Sequence, residues 1–123
     1  MARILIADDD ADYRTAFCSG LDALGHKAVG VAQTDQVEPA LVAGDPPYDI
    51  VFLDVMMPNG STAALLQRLS ESQPDLPVVM ITGRPELTRS PLFKNGMRLA
   101  DARVGKTATL RELDDLVRSL TGD

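Results

Sequence analysis

Five short apolar runs, separated by segments of helical periodicity, are the feature of this sequence that most constrains its fold. The runs are RILIA (3–7), KAVGVA (27–32), YDIVFLD (48–54), LPVVMIT (76–82) and ADARV (100–104). Runs of this length favour strands over helices, and the third is apolar on both faces, as a central strand covered by helices should be. Strands that alternate with helices imply a parallel sheet with helices on both sides. The sequence therefore predicts an α/β protein with a five-stranded parallel sheet.

The segments between the runs predict the helices that cover this sheet. Their expected buried faces consist of apolar residues three or four positions apart: Phe17, Leu21 and Leu24; Val37 and Leu41; Ala64, Leu65 and Leu69; and Leu110, Leu113, Val117 and Leu120. We expect the first of these helices to end at Gly25. Prolines and a glycine interrupt residues 83–99, so an irregular fourth helix is predicted there.

Length and charge exclude several classes of protein. We expect residues 1–123 to form a single domain, since 123 residues suffice for one ordinary core and contain no linker or repeat. The net charge of −6 and the lack of a basic patch argue against direct binding of nucleic acid. No apolar run approaches the roughly 20 residues needed to cross a bilayer, and the N-terminus does not resemble a secretory signal. We therefore expect a cytoplasmic protein with no membrane insertion, in which Cys18 is a buried, inert thiol.

Polar side chains that suit metal and phosphate chemistry follow four of the predicted strands. They are Asp8 and Asp9 after the first strand, Asp54 at the end of the third, Thr82 at the end of the fourth and Lys106 just past the fifth. The carboxyl ends of parallel strands meet at one edge of a sheet, where ligands bind. Three carboxylates at one edge repel one another, and at neutral pH they tolerate this charge only with a cation or through raised pKa values. An all-oxygen ligand set points to Mg²⁺.

These side chains together are suited to a phosphoryl group. A hydroxyl at Thr82 and an ammonium at Lys106 would bind phosphoryl oxygens, and Asp54 is then the candidate nucleophile that forms an acyl phosphate. Simpler interpretations remain open for individual residues. Lys106 could be a solvated lysine and Thr82 an ordinary strand residue.

Other polar residues near these motifs have structural explanations. Asp10 or Asp12 is expected to cap the first helix. His26 lies at a helix-to-strand turn far from the predicted site, and we interpret it as structural. The side chains of Met56 and Met57 could simply pack.

Four motifs in this order, ILIADDD, DIVFLDVMMPNG, PVVMITG and ADARVGKT, resemble the receiver domain of two-component response regulators over essentially the whole chain. The resemblance implies a flavodoxin-like, doubly wound sheet of strand order 2-1-3-4-5 with helices on both faces. It implies that Asp54 is the phosphoacceptor, that Asp9 binds Mg²⁺ directly and that Asp8 acts mostly through a water. The backbone carbonyl of Met56 would be a further metal ligand. Thr82 and Lys106 match the switch hydroxyl and the phosphate-pairing lysine.

The sequence departs from the family pattern near that lysine. Thr107 and Ala108 follow Lys106 where members usually have a proline and then an aromatic residue. Arg103 stands where an aromatic residue of the fifth strand usually reports the state of the threonine. These departures predict a different setting of the loop and exclude the usual aromatic form of the switch.

The resemblance implies a bacterial signalling protein with little enzymatic activity beyond its own phosphorylation and dephosphorylation. A phosphohistidine on a sensor histidine kinase or a phosphotransfer protein would donate the phosphoryl group, as in a phosphorelay, and the product would bind a downstream protein differently. One alternative is a receiver-like interaction module that signals without phosphate. A second is a small Mg²⁺-dependent phosphohydrolase, but such enzymes usually carry a second aspartate at the position that Met56 occupies.

Overall fold

Five strands pair in parallel as one sheet, in which the strand that is second along the chain lies at one edge, followed by the first, third, fourth and fifth. The computed structural model describes residues 1–57, 62–83 and 98–122. The strands are β1 (Arg3–Ala7), β2 (Lys27–Val31), β3 (Ile50–Asp54), β4 (Val78–Thr82) and β5 (Ala102–Gly105). This confirms the predicted five-stranded sheet and its order. Only the ends differ, because β3, β4 and β5 each begin two residues later than the apolar pattern suggested.

Helices connect the strands and lie on both faces of the sheet. They are α1 (Ala11–Ala23), a 3₁₀ turn (Thr34–Gln36) that leads into α2 (Val37–Ala43), α3 (Thr62–Ser72) and the C-terminal helix (Leu110–Thr121). The predicted irregular fourth helix falls on residues 83–99, of which 84–97 lie outside the described residues. No helix in the part of the chain that the structure describes is both long and apolar enough to cross a bilayer.

Alternating side chains of the central strands divide the core into two layers. Ile4 and Ile6 of β1 pack with α1 and the C-terminal helix, whereas Leu5 and Ala7 pack with α2 and α3 on the opposite face. Every residue of β3 is buried, which explains why its sequence is apolar at successive positions. Because successive strand residues face opposite sides, a slip of one residue would exchange the two layers, so this pattern fixes the register.

Three predicted core positions are wrong. Leu110, the first residue of the C-terminal helix, is 38% exposed. Leu24 is 39% exposed because α1 ends at Ala23, and Gly25 continues the chain with a φ of 98°. That value favours glycine and explains the stop. Ala64 is exposed because it lies on the side of α3 opposite its buried leucines. Cys18 is half-buried, not fully buried as predicted, and burial raises the pKa of its thiol.

His26 is structural, as predicted, and holds the C-terminal helix at the amino end of the sheet. The backbone N–H of Ala2 donates to Nδ1 of His26 at 3.2 Å, so the proton of the neutral ring is on Nε2. Nε2 lies 2.6 Å from Oδ1 of Asp114 in the C-terminal helix. The hydrogen bond from His26, followed by that from Arg118, lowers the pKa of Asp114. This contact is at the end of the sheet opposite the strand ends that carry the candidate site.

The C-terminal helix begins with a capping box that provides a test of its stability. Thr109 Oγ1 accepts the Glu112 N–H at 3.1 Å, and Glu112 Oε1 accepts the Thr109 N–H at 3.2 Å. We predict that Thr109→Ala lowers the free energy of unfolding by about 1 kcal/mol and the melting temperature by about 3–5 °C. Thr107→Ala, an exposed threonine before the helix, is the matched control. Equal effects of the two substitutions in thermal unfolding would contradict the capping role.

Candidate functional site

The register of the sheet places Asp8 beside Asp54. Ala7 pairs with Leu53 between β1 and β3, so Asp8, one residue past β1, lies next to Asp54, the last residue of β3. Carboxylate oxygens of Asp8, Asp9 and Asp54 all lie within 4.8 Å of one another. Asp8 and Asp54 are 0% and 3% exposed, whereas Asp9 is open to solvent. The structure therefore brings the three predicted carboxylates together, with Asp9 at the solvent side.

The same register brings Thr82 and Lys106 to this edge. Asp54 pairs with Ile81 in β4, and Thr82, the next residue, pairs with Gly105 at the end of β5. The backbone N–H of Lys106 donates to the Thr82 carbonyl at 2.9 Å, which joins the loop after β5 to the end of β4. Thr82 itself is buried. The strand ends that the sequence singled out thus form one continuous cluster.

The acidic loop after β1 gives each aspartate a separate environment. Asp8 Oδ1 accepts the backbone N–H of Asp10 at 2.9 Å, and Arg14 donates to the Asp8 carbonyl at 2.7 Å. Asp10 caps α1, as predicted, by accepting the Tyr13 N–H at 3.1 Å. Asp9 lies between them and points its carboxylate towards the cluster. The sequence ADDD therefore supplies one buried carboxylate, one accessible carboxylate and one helix cap.

Backbone contacts orient Asp54. Its Oδ1 accepts the Met56 N–H at 3.0 Å, and its carbonyl accepts the Thr62 hydroxyl at 2.9 Å, which ties β3 to the start of α3. Burial raises the pKa of the Asp54 carboxyl, and the neighbouring Asp8 raises it further, whereas the Met56 N–H and Lys106 act in the opposite direction. A buried, oriented carboxylate with little hydration is suited to act as a nucleophile.

Lys106 supplies positive charge to both buried carboxylates. Its Nζ lies 2.9 Å from Asp8 Oδ2, 3.2 Å from Asp8 Oδ1 and 3.4 Å from Asp54 Oδ2. Burial by itself would lower the pKa of this ammonium, but hydrogen bonding and attraction to Asp8 and Asp54 outweigh it, and the pKa is raised. The simpler interpretation of Lys106 as a solvated lysine is therefore wrong.

The donor set fits a small hard cation such as Mg²⁺. All three carboxylates are oxygen donors, and Oδ2 of the buried Asp8 accepts no hydrogen bond from the described residues, although Lys106 lies beside it. Mg²⁺ prefers one or two carboxylates together with waters, which the exposed Asp9 would leave room for. The Met56 side chain is 53% exposed and Met57 is buried in the core, so only the latter packs.

Sequence reasoning missed one residue at this site. The ring of Tyr13 in α1 lies with its centroid 5.0 Å from Lys106 Nζ. No pattern in the sequence indicates this contact, because it joins a helix residue to a loop 93 positions away. Arg103, in contrast, is exposed on β5 and pairs with Met80 in the sheet.

Comparison with known proteins agrees with this geometry. The model of the response regulator receiver domain matches residues 4–118. The chain is 35% identical to the transcriptional regulator NtrC of Rhizobium meliloti over 68% of its own length but only 17% of that protein. It is 27% identical to the receiver protein CpdR of Brucella abortus over 74% of each. The chain thus spans a small part of NtrC and most of CpdR.

A solved structure extends the similarity to the whole chain. The response regulator TrrA of Thermotoga maritima, determined with Mg²⁺ and BeF, superposes with a TM-score of 0.84 at 26% identity, over 98% of this chain and 99% of that one. Its bound groups, a magnesium ion and a fluoroberyllate, are those of TrrA. The fold is shared from end to end.

The raised pKa of Asp54 predicts how its charge affects stability. An unfolded aspartate has a pKa near 3.9, so at pH 7 the folded protein bears the cost of a charge that burial disfavours. In a chelator, Asp54→Asn should therefore raise the free energy of unfolding at pH 7 by about 1.4 kcal/mol for each unit by which the pKa is raised. The gain should shrink as the pH falls through the folded pKa and vanish below about pH 4.

Asp35→Asn is the control for this prediction, since it removes the same charge from an exposed position. Urea unfolding of the wild type and both variants from pH 4 to pH 8 measures the differences. A less stable Asp54→Asn variant at pH 7 would show that attraction to Lys106 outweighs burial at this site.

Proposed function

Because the chain belongs to the response regulator receiver domain family, we propose that Asp54 is the residue that accepts the phosphoryl group in two-component signalling. The observation that carries this proposal is the convergence of a buried, oriented Asp54 with two further carboxylates and the Lys106 ammonium. The other two carboxylates have different surroundings from that of Asp54: Asp8 accepts the Asp10 N–H, and Asp9 is exposed to solvent. Asp54 ends the central strand; its carboxylate accepts the Met56 N–H, and its backbone carbonyl accepts the Thr62 hydroxyl.

The reaction is a displacement at phosphorus. A carboxylate oxygen of Asp54 attacks the phosphorus of a phosphohistidine, a new P–O bond forms, and the P–N bond breaks with its electron pair passing to the imidazole nitrogen. The product is an acyl phosphate on Asp54 and an unmodified histidine on the donor. The Met56 N–H fixes the rotation of the carboxylate, so one oxygen stays oriented for the attack.

We propose that Asp9 and Asp54 bind Mg²⁺, with Asp8 and the Met56 carbonyl as further ligands. Receiver domains bind this ion, and the all-oxygen donor set suits it. When bound, Mg²⁺ supplies positive charge to the carboxylates and to the incoming phosphoryl oxygens. Asp8, being fully buried and already paired with Lys106, is better placed to act through a water than to bind directly.

Lys106 and Thr82 are proposed to bind the oxygens of the transferred group. Lys106 Nζ is 3.4 Å from Asp54 Oδ2, so it can pair with a phosphoryl oxygen on Asp54 by a short movement away from Asp8. Thr82 lies at the neighbouring strand end and offers a hydroxyl. These movements would change the loop after β5 and with it the affinity for a downstream protein.

The phosphoryl donor is proposed to be a histidine kinase or a histidine phosphotransfer protein. His26 is not a candidate donor, because its side chain is fully buried and hydrogen bonded at the other end of the sheet. The net charge of −6 also disfavours direct contact with nucleic acid. Two observations argue against the rival functions. A hydrolase would need a second aspartate at position 56, where this chain has a methionine. A phosphate-independent module would not explain why Lys106 lies next to Asp54.

The direct test is the intact mass after incubation with acetyl phosphate. We predict one phosphoryl adduct on the wild-type protein in Mg²⁺, strong reduction of the adduct in a chelator, and none on Asp54→Asn. Asp35→Asn, which loses the same charge at the surface, should be phosphorylated like the wild type. Since some receivers ignore small donors, a phosphorylated phosphotransfer protein serves as the second donor.

Three results would overturn the assignment. An adduct that persists on Asp54→Asn would place the acceptor elsewhere. Release of free phosphate over many turnovers from a small substrate would favour the hydrolase. Failure of both donors together with no Mg²⁺ binding in a titration would favour the phosphate-independent module.

Lys106→Ala separates metal binding from the response to phosphate. The ammonium competes with a cation for the same carboxylates, so its removal should leave Mg²⁺ affinity intact or increase it. The response should be lost: on phosphorylation, amide shifts in NMR spectra should stay near Asp54 and no longer reach Thr109. Lys27→Ala, an exposed lysine at the start of β2, is the control. A loss of Mg²⁺ affinity in folded Lys106→Ala would contradict the proposed role.

A further inference from the structure

Tyr13 places its aromatic ring next to the Lys106 ammonium. Its ring centroid is 5.0 Å from Lys106 Nζ, within the distance at which an ammonium is attracted to an aromatic face. The same Nζ lies 2.9 Å from Asp8 and 3.4 Å from Asp54. The ammonium is therefore enclosed between two carboxylates and an aromatic ring, and its side chain is only 21% exposed.

We propose that Tyr13 is a positioning residue for phosphoryl transfer, whose ring holds the Lys106 ammonium in place at the phosphoacceptor. The proposal rests on the function proposed for Asp54 and extends it to a residue of α1. The ring neighbours the ammonium in addition to the carboxylates, so its attraction would limit how far Lys106 moves when it pairs with a phosphoryl oxygen.

Lys106 needs such a support because its own loop restrains it little. A lysine side chain is long and loses considerable rotamer entropy when it is fixed. The strand before it, Ala102–Gly105, has no aromatic residue, and neither Thr107 nor Ala108 after it is a proline or an aromatic residue. The loop backbone is held by the bonds from Lys106 N–H to Thr82 and from Ala108 N–H to Gly105. Among the described residues, the Lys106 ammonium contacts the carboxylates of Asp8 and Asp54 and the ring of Tyr13.

Tyr13 is itself rigidly placed. Its backbone N–H is bonded to the capping residue Asp10, so it belongs to the first turn of α1, directly after the acidic loop. Its ring contacts Phe17 with centroids 6.1 Å apart, and Phe17 contacts Phe52 of β3 at 4.9 Å in an edge-to-face arrangement. Phe52 lies two residues before Asp54. A chain of aromatic contacts thus connects the ring under Lys106 to the strand that carries the phosphoacceptor.

The ring, not the hydroxyl, is the part of Tyr13 that the proposal uses. The hydroxyl is buried and has no hydrogen-bond partner among the described residues. Burial, followed by the negative charge of Asp8, raises the pKa of this hydroxyl, which keeps it protonated at neutral pH. Tyr13→Phe should therefore retain the function, whereas Tyr13→Leu, which keeps apolar bulk but has no π face, should not.

A double-mutant cycle tests the contact without any phosphorylation. The unfolding equilibrium of Tyr13→Phe and Tyr13→Leu is measured with Lys106 and with Lys106→Met in a chelator. We expect the change from phenylalanine to leucine to raise the unfolding equilibrium constant about three- to tenfold more when Lys106 is present than when it is absent. Equal effects in both backgrounds would mean that Tyr13 only packs, and would overturn the proposal.

Phosphorylation provides the functional arm of the test. With acetyl phosphate or a phosphorylated phosphotransfer protein, whichever modifies the wild type, Tyr13→Leu should form the adduct at least about threefold more slowly, and Tyr13→Phe at the wild-type rate. If Tyr13→Leu reacts as fast as Tyr13→Phe, the positioning role is wrong. If the wild type forms no adduct with either donor and binds no Mg²⁺, the function proposed for Asp54 is wrong, and the cycle alone decides whether Tyr13 holds Lys106.

A third variant tests whether the effect of Tyr13→Leu comes from a disturbance of α1 and not from the loss of the aromatic face. Replacing Tyr13 with pentafluorophenylalanine keeps the size of the ring but reverses the charge on its face, so the attraction to an ammonium becomes repulsion. We expect this protein to fold and to react more slowly than Tyr13→Phe by at least the same factor as Tyr13→Leu. A rate equal to that of Tyr13→Phe would exclude an interaction with the ring face.

Discussion

The constraint on which the rest of this structure depends is the balance of charge at one edge of the sheet, where Asp8 and Asp54 are buried beside Asp9. Two like charges about 4 Å apart repel by roughly 4 kcal/mol at the dielectric typical of such sites. Lys106 offsets part of this repulsion by its contacts with both buried carboxylates. The remaining negative charge is what suits the site to the cation that we propose it binds. A protein whose fold alone had to be stabilised would have no reason to place these residues together.

The sheet makes this arrangement possible because its packing fixes every register involved. Ile4 and Ile6 face one core layer and Leu5 and Ala7 the other, so β1 cannot slide by one residue without exchanging its buried faces. The residue that follows Ala7 must then emerge beside the end of β3. Apolar packing of the buried strands β3 and β4 thus keeps the mutually repelling carboxylates together at the edge of the sheet.

Much of the fold and most of the site could be predicted, and the errors have a physical cause. The strand ends at Asp54 and Thr82 followed from the apolar runs, because parallel strands deliver their last residues to one edge. The buried faces of the helices were predicted less well. Leu24 has the spacing of the buried residues of α1 but follows the last residue of that helix, and Ala64 is exposed on α3. Helix ends depend on local hydrogen bonds that periodicity does not describe. Tyr13 could not be found at all, because its contact with Lys106 depends on how α1 packs in three dimensions.

The position of Lys106 also limits which parts of the structure a change at Asp54 can affect. Only Thr107 and Ala108 separate it from Thr109, whose capping box begins the C-terminal helix. The far side of that helix is fixed by the bond between Asp114 and the buried His26, at the opposite end of the sheet. If Lys106 is displaced towards a phosphoryl group on Asp54, as we propose, the short loop or the first turn of the helix would take up the change, because the Asp114–His26 contact holds the helix further along. The responding surface we propose is therefore the loop after β5 with the start of the C-terminal helix, where no proline at position 107 restricts the backbone.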